Sequence, residues 1–189
     1  MKLDDIQIFP ELRLPVQCLA GMREELFLVG ETEVARTVNG RSMVLTMPWG
    51  QKYGVRYVCD GEGRRLLPLD ELKLGRRLIV HPATPRGRVI APGATSVRLD
   101  REPVPGSLHA RDVDTDMPID VTVERVRPAN LNLSAYWEAR IFGRGGWTQV
   151  SYRPVLTCLV TGVIGFGSDV TGRRQNSTVE LEEERAPLP

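Results

Sequence analysis

The stretch YRPVLTCLVTGVIGFGSDVTGRRQNSTVELEEE, residues 152–184, decides the fold that this sequence predicts. Its first arm, Val155 to Phe166, is rich in Val, Ile, Leu and Thr, which fit a pleated sheet and lose rotamer freedom in a helix. The polar residues from Gly167 to Gln175 favour a turn. The second arm alternates, with Val179 and Leu181 on one face and Thr178, Glu180 and Glu182 on the other. We expect a long hairpin, and such a hairpin needs a sheet to lie on.

Further strand signals occupy the rest of the chain. Asn39-Gly40 is the strongest short hairpin signal, and it separates Glu33–Val38 from Ser42–Met47. The strand predicted at Tyr53–Cys59 places Tyr53, Val55 and Tyr57 on one face and Arg56 and Val58 on the other. More strands are predicted at Leu26–Val29, Arg77–His81, Ile119–Val126, Ala135–Phe142 and Trp147–Arg153, with short extended pieces at Arg88–Ile90, Ser96–Leu99 and Ser107–Ala110. The alternation in Ile119–Val126 predicts that Ile119, Val121 and Val123 face inward.

Helix signals are sparse, because glycine and proline are spread along the whole chain. The best helical candidate, Pro68–Leu72, has room for about one or two turns before Gly75. About nine to eleven strands with little helix predict an all-β protein, an antiparallel β-barrel or β-sandwich.

A run rich in proline and glycine, residues 82–118, suggests a division of the chain. We expect residues 1–81 to form an N-terminal β module that the hairpin 152–184 closes. Residues 82–151 then form a loop-rich insertion and a second β part.

Charge and hydropathy argue against several classes of function. The chain has 25 basic and 24 acidic residues, so no global field favours binding to nucleic acid. No apolar run is long enough for a membrane span, so no membrane insertion is expected. The first fifteen residues lack the continuous apolar core of a secretion signal, so we expect the protein to be kept in the cytoplasm where it is made, or to be assembled into a larger structure there.

Acidic and glycine-rich segments offer only weak candidates for a binding site. Asp112, Asp114 and Asp116 form a DxDxD pattern, but Met117 and Val123 stand where a calcium loop needs glycine and glutamate. A solvated acidic loop is the favoured interpretation. The runs Gly143–Gly146 and Gly162–Gly167 precede no helix start, so we interpret them as hairpin turns and glycine breaks in strands.

Side chains for catalysis are scarce. His81 at a strand end and His109 in a loop are the two imidazoles, and no GxSxG or HExxH motif accompanies them. Cys18, Cys59 and Cys158 are widely spaced, which favours reduced structural cysteines. Trp49, Trp137 and Trp147 are more typical of core or interface anchors than of a ligand box. The sequence therefore predicts no catalytic, cofactor-binding or metal-binding residue, no cofactor and no enzymatic activity.

Several motifs resemble the distal tail proteins of long-tailed bacteriophages. Tyr152–Thr157 and Ser177–Glu183 are similar to the "YRP-x-L" strand and the acidic "LELEE"-like strand that often end members of this family. Arg36–Arg41, followed by Tyr53–Gly61, resembles the hairpin of the family's ring-forming module. Leu69–Val80 is similar to the family's short helix before a strand. The resemblance covers the two ends of the chain and leaves out residues 82–118.

The resemblance implies a structural role in a virion. Family members form a hexameric ring at the tail tip and join the tail tube to the hub and host-attachment parts. The resemblance implies that the N-terminal β module forms the ring and that the C-terminal part is a β-sandwich or small barrel. The implied partners are further copies of the chain, the tail tube protein, the tail hub proteins and the tape-measure protein. The implied location is the phage tail, assembled in the cytoplasm of the bacterial host. Glu180, Glu182, Glu183 and Glu184 would face solvent or oppose arginines of a neighbouring copy.

Two alternatives stay open beside this interpretation. A tail tube or tail-terminator subunit would share the β architecture, with residues 82–118 as a stacking loop. A β-barrel enzyme or ligand-binding domain is a third hypothesis, and the small number of titratable side chains of the right kind speaks against it.

Overall fold

The protein is built almost entirely of antiparallel strands. The structure is a computed structural model, and it describes residues 8–12, 22–29, 32–36, 42–46, 52–59, 71–128, 135–143, 146–164 and 177–184. Thirteen strands and no α-helix lie in these ranges. The predicted all-β class is confirmed, and the strands outnumber the nine to eleven that the sequence predicted.

The strands are numbered in chain order. They are β1 (Met22–Val29), β2 (Thr32–Arg36), β3 (Ser42–Thr46), β4 (Lys52–Cys59), β5 (Arg77–Val80), β6 (Arg86–Ile90), β7 (Ser96–Leu99), β8 (His109–Asp112), β9 (Pro118–Val126), β10 (Tyr136–Phe142), β11 (Thr148–Tyr152), β12 (Leu156–Ile164) and β13 (Ser177–Glu183).

The chain divides into two compact units, which we name for their place in the sequence. The central unit comprises Met1–Pro10, Ile79–Leu156 and Pro189. The terminal unit comprises Glu11–Leu78 and Thr157–Leu188, so it combines residues from both ends of the chain.

The terminal unit contains a five-stranded sheet in the order β1-β4-β13-β12-β5. Its buried face follows the predicted alternation, because Tyr53, Val55 and Tyr57 of β4 and every second residue of β13 are buried. Its buried apolar side chains are Tyr53, Val55, Tyr57, Leu72, Leu78, Cys158, Val160, Val179 and Leu181.

The closing hairpin forms as predicted. β12 pairs antiparallel with β13, and β13 pairs in turn with β4, so the two ends of the chain share one sheet. Val160 lies opposite Leu181 and Gly162 opposite Glu180, which leaves Thr161 as the extra residue of a β-bulge. The polar turn predicted at Gly167–Gln175 lies outside the described residues.

β2 and β3 form a separate two-stranded antiparallel sheet in which Arg36 lies opposite Ser42. The predicted strands on both sides of Asn39-Gly40 are therefore confirmed, and the turn itself lies outside the described residues.

The central unit contains a six-stranded antiparallel sheet in the order β6-β11-β8-β9-β10-β7. Its two edge strands approach each other, and an ion pair joins Arg88 of β6 to Asp100 just after β7. The sheet is therefore nearly closed, like a barrel. Its interior is formed by Ile90, Leu99, Ala110, Ala139, Ile141, Val150 and Tyr152, with Ile119, Val121 and Val123 packed against them as the alternation of β9 predicted.

Three predictions of local structure need correction or lie partly outside the described residues. Only Glu71 and Leu72 of the helical candidate are described, and they belong to no α-helix. His109 begins β8 and is not in a loop. The Gly143–Gly146 segment is not a hairpin turn, because β8 and β9 lie between β10 and β11 in the sheet.

Candidate interaction surfaces

The DxDxD segment forms the turn between β8 and β9. Asp112 Oδ1 accepts hydrogen bonds from the backbone N–H groups of Asp114 and Thr115 and from the Thr115 hydroxyl, at 2.9–3.0 Å. These bonds, chiefly those from Thr115, lower the pKa of Asp112. Asp116 adopts a positive φ of 54° and its carboxylate pairs with Arg111 at 3.0 Å. The carboxylates of Asp112 and Asp116 thus stabilise a tight turn.

No metal site emerges from the part of the chain that the structure describes. Within it, no three His, Cys, Asp or Glu side chains lie together in a way that could hold a metal ion.

The two histidines lie at different places in the central unit. The His81 backbone N–H donates to the Ile8 carbonyl at 2.8 Å, and its own carbonyl accepts from Arg153 Nη2 at 2.9 Å. Burial, with a smaller effect of the Arg153 charge, lowers the pKa of His81. His109 is exposed on β8, opposite Ser151.

The described cysteines are free thiols. Cys158 is buried in the terminal unit, and burial raises its pKa to about 12, with smaller effects of Glu183 and Glu182. A thiol in that state is a poor nucleophile. Cys59 is half-buried at the end of β4, and Cys18 lies outside the described residues.

The tryptophans differ in environment. Trp137 packs against the interior of the central unit, whereas half of the Trp147 surface is exposed. Trp49 lies outside the described residues.

Strand β1 forms an open edge of the terminal unit. It stands at one end of the strand order, so β4 is its one neighbouring strand among the described residues. Phe27 and Leu28 on this strand are 40% and 44% exposed. A long edge strand with apolar side chains is a template for pairing with another chain. We call this strand with Phe27 and Leu28 the β1 edge.

The outward face of the same sheet has charges in register. Arg56 lies opposite both Glu25 and Glu180, and its guanidinium pairs with Glu180 at 2.9 Å and with Glu25 at 3.2 Å. The hydrogen bond to Glu180, followed by that to Glu25, raises the pKa of Arg56. The same guanidinium lies over the Phe27 ring, 5.8 Å from its centroid. Phe27 thus packs beside a row of alternating charges.

The acidic strand is paired within its own chain. Glu182 pairs with Lys52 at 3.4 Å, and Glu184 pairs with Arg77 at 2.5 Å. The hydrogen bond from Arg77 lowers the pKa of Glu184. Glu183 contradicts the expected solvent-facing position, because it is buried on the side of the sheet that holds Val179 and Leu181.

The β1 edge is longer than the strand that the sequence predicted, and its place at the edge of the sheet was not predicted. The sequence predicted a strand only at Leu26–Val29, whereas β1 begins at Met22. Residues 23 to 25 are Arg, Glu and Glu, so no alternation of apolar and polar residues marked this half of the strand.

Comparisons with protein-family models and with curated proteins find no match for this chain, so its functional interpretation depends on the fold and the side chains. Among the described residues no helix is long and apolar enough to cross a membrane.

Proposed function

We propose that this protein is a structural component of a bacteriophage tail tip. It assembles into a cyclic ring, a hexamer by the family resemblance, that joins the tail tube to the hub and host-attachment parts. The observation that supports this best is the β1 edge, an eight-residue strand that has one neighbouring strand among the described residues and that exposes Phe27 and Leu28.

A cyclic ring needs two different patches on each copy, because each interface joins unlike surfaces. The terminal unit offers an edge strand for one patch, and strand pairing across copies would also cover its apolar side chains. The outward charges of this sheet are satisfied within the chain, as the pairs of Arg56 and Lys52 illustrate. Charges that are already paired would contribute specificity to an interface more than affinity.

The proposed partners are other copies of the chain, the tail tube protein, the hub proteins and the tape-measure protein. The proposed location is the virion, after assembly in the host cytoplasm, and the role is not enzymatic.

A tail tube or tail-terminator subunit is the alternative function, because it would share the antiparallel β architecture of this chain. Electron microscopy of the purified chain separates the two. Single closed rings support the distal-tail function, and long helical tubes support the tube function instead. Monomeric particles at high protein concentration would contradict both the distal-tail function and the tube function.

An enzyme or ligand-binding domain is a further alternative, and it has a direct test. A panel of hydrolase substrates is applied to the purified chain and to His81→Ala and His109→Ala variants. Turnover that either substitution abolishes would contradict a purely structural role.

A further inference from the structure

The central unit has four large apolar side chains exposed at one end of its barrel-like sheet. Val113, Met117, Phe142 and Trp147 are each between 50% and 63% exposed. We call these four residues the rim cluster.

The topology explains why they lie at the same end. β8 and β10 both run toward this end, where the turn 113–117 follows β8 and the segment 143–147 follows β10. Trp147, just before β11, lies beside the β8–β9 turn, because the Val113 N–H donates to its carbonyl at 2.8 Å. Phe142 lies opposite Asp120, near the start of β9, and Met117 directly precedes β9 in the chain.

These side chains contribute little to the stability of the unit, because its interior is already filled by other residues. Single exposed apolar residues are common on protein surfaces, but several at one place mark a binding surface. Tryptophan and phenylalanine are also the residues that most often anchor protein interfaces. The rim cluster is therefore better explained by contact with another molecule than by folding.

The charges around the rim cluster are mainly negative. The β8–β9 turn region contains Asp112, Asp114 and Asp116, and Asp120 lies opposite Phe142. Arg111 is paired with Asp116. Arg140, two residues before Phe142, is engaged by Glu124 and Glu138. Among the described residues, the apolar side chains of the rim cluster thus lie at an end of the sheet where negative charges predominate.

We propose that the rim cluster binds a segment of a partner protein in which apolar side chains are flanked by Lys or Arg. Apolar side chains of the partner cover Trp147 and Phe142, and its basic groups lie against the aspartates. Charge complementarity of this kind accelerates association and excludes acidic partners. The surface belongs to the central unit, so its function is independent of the β1 edge.

The test uses a ribosome-displayed library of random 12-residue peptides, selected on the full-length chain. We expect enrichment of peptides that combine apolar and basic residues. Phe142→Ser and Trp147→Ser should each weaken binding of the enriched peptides at least tenfold. Ile164→Ser in the terminal unit is the matched control, because Ile164 is as exposed as Phe142, and it should leave the affinity unchanged.

Charge and competing partners are tested with the same proteins. The double variant Asp114→Asn/Asp120→Asn should lose more affinity for the enriched peptides at low salt than at high salt. At high salt, screening already reduces the attraction between the aspartates and the basic groups of the peptide. Failure to enrich peptides, enrichment of acidic ones, or equal binding to Trp147→Ser would overturn the proposal. A change in the oligomeric state caused by Phe142→Ser would also overturn the proposal, because the rim cluster would then bind another copy of the chain. Binding to anionic lipid vesicles that Trp147→Ser abolishes would overturn it in favour of a lipid surface.

Discussion

The buried carboxylate of Glu183 accepts a hydrogen bond from the backbone N–H of Tyr53 at 3.0 Å, although 130 residues separate them in the chain. Tyr53 lies near the start of β4 and Glu183 ends β13, just beyond the last paired residues, Gly54 and Glu182. The side chain therefore satisfies a backbone donor where the strand pairing stops. This bond attaches the end of the closing hairpin to the N-terminal part of the sheet.

Replacing Glu183 should destabilise the terminal unit. In Glu183→Ala the buried Tyr53 N–H loses its acceptor, which costs about 1–3 kcal/mol of the free energy of unfolding. Urea unfolding followed by circular dichroism measures this loss. Glu182→Ala is the control, because its partly exposed pair with Lys52 is worth at most about 1 kcal/mol. Equal losses in the two variants would contradict the role assigned to Glu183.

Gly54 should resist substitution because of Phe27. A Cβ at this position would overlap with Phe27 Cε2 and would lie 2.7 Å from Val29 Cγ2, so a neighbouring side chain must move. We expect Gly54→Ala to cost about 1–3 kcal/mol of stability. In a Phe27→Ala background the ring contact is removed, and the same substitution should cost clearly less. An equal cost in both backgrounds, measured by urea unfolding, would show that the Phe27 ring is not the obstacle.

Cys158 should be chemically silent in the folded protein. Its pKa of about 12 leaves almost no thiolate at pH 8, and burial also blocks access. Iodoacetamide labelling followed by peptide mass spectrometry should modify Cys59 well before Cys158. In urea both should react at similar rates. Rapid labelling of Cys158 without denaturant would show that the sheet opens at β12.

Stability should fall in mildly acidic solution because of His81. Its pKa is lowered from the ordinary 6.5, so below that pH the unfolded chain binds a proton that the folded protein does not. The free energy of unfolding begins to decrease as the pH falls through 6.5, and this decrease ends once the pH is below the pKa of His81 in the folded protein. Thermal unfolding from pH 7.5 to 5.5 measures it.

The substitution His81→Gln should remove this part of the pH dependence. His109→Gln is the matched control, since it leaves His81 in place and should retain the wild-type loss. The same loss in His81→Gln would assign the effect to another group.

Alternation along single strands made much of the fold predictable. The buried faces of β4, β9 and β13 follow from spacing alone, and so does the pairing of the closing hairpin. Glu183 was misplaced because its charge suggested solvent, and the backbone donor that binds it is distant in sequence. The path from β10 to β11 was misread as a hairpin, because glycines permit a turn without specifying which strands lie beside it. The rim cluster depends on that path and could not be foreseen.

Phe27 and Leu28 illustrate a further limit. Their apolar character predicts a strand, but only the order of strands in the sheet shows that they lie at an edge. Strand order depends on contacts between distant segments, which no local pattern specifies.

The central claim, assembly through the β1 edge, is tested most directly by sedimentation equilibrium of the wild-type chain and of Leu28→Lys. A charge on an edge strand opposes pairing with another chain, and Val89→Lys on the central unit is the matched control for an added charge at an exposed apolar site. Circular dichroism establishes that both variants are folded. The predicted result is a closed oligomer of about six copies for the wild type and for Val89→Lys, with a monomer for Leu28→Lys. A wild-type chain that stays monomeric at high concentration, or a Leu28→Lys chain that assembles like the wild type, would contradict the claim.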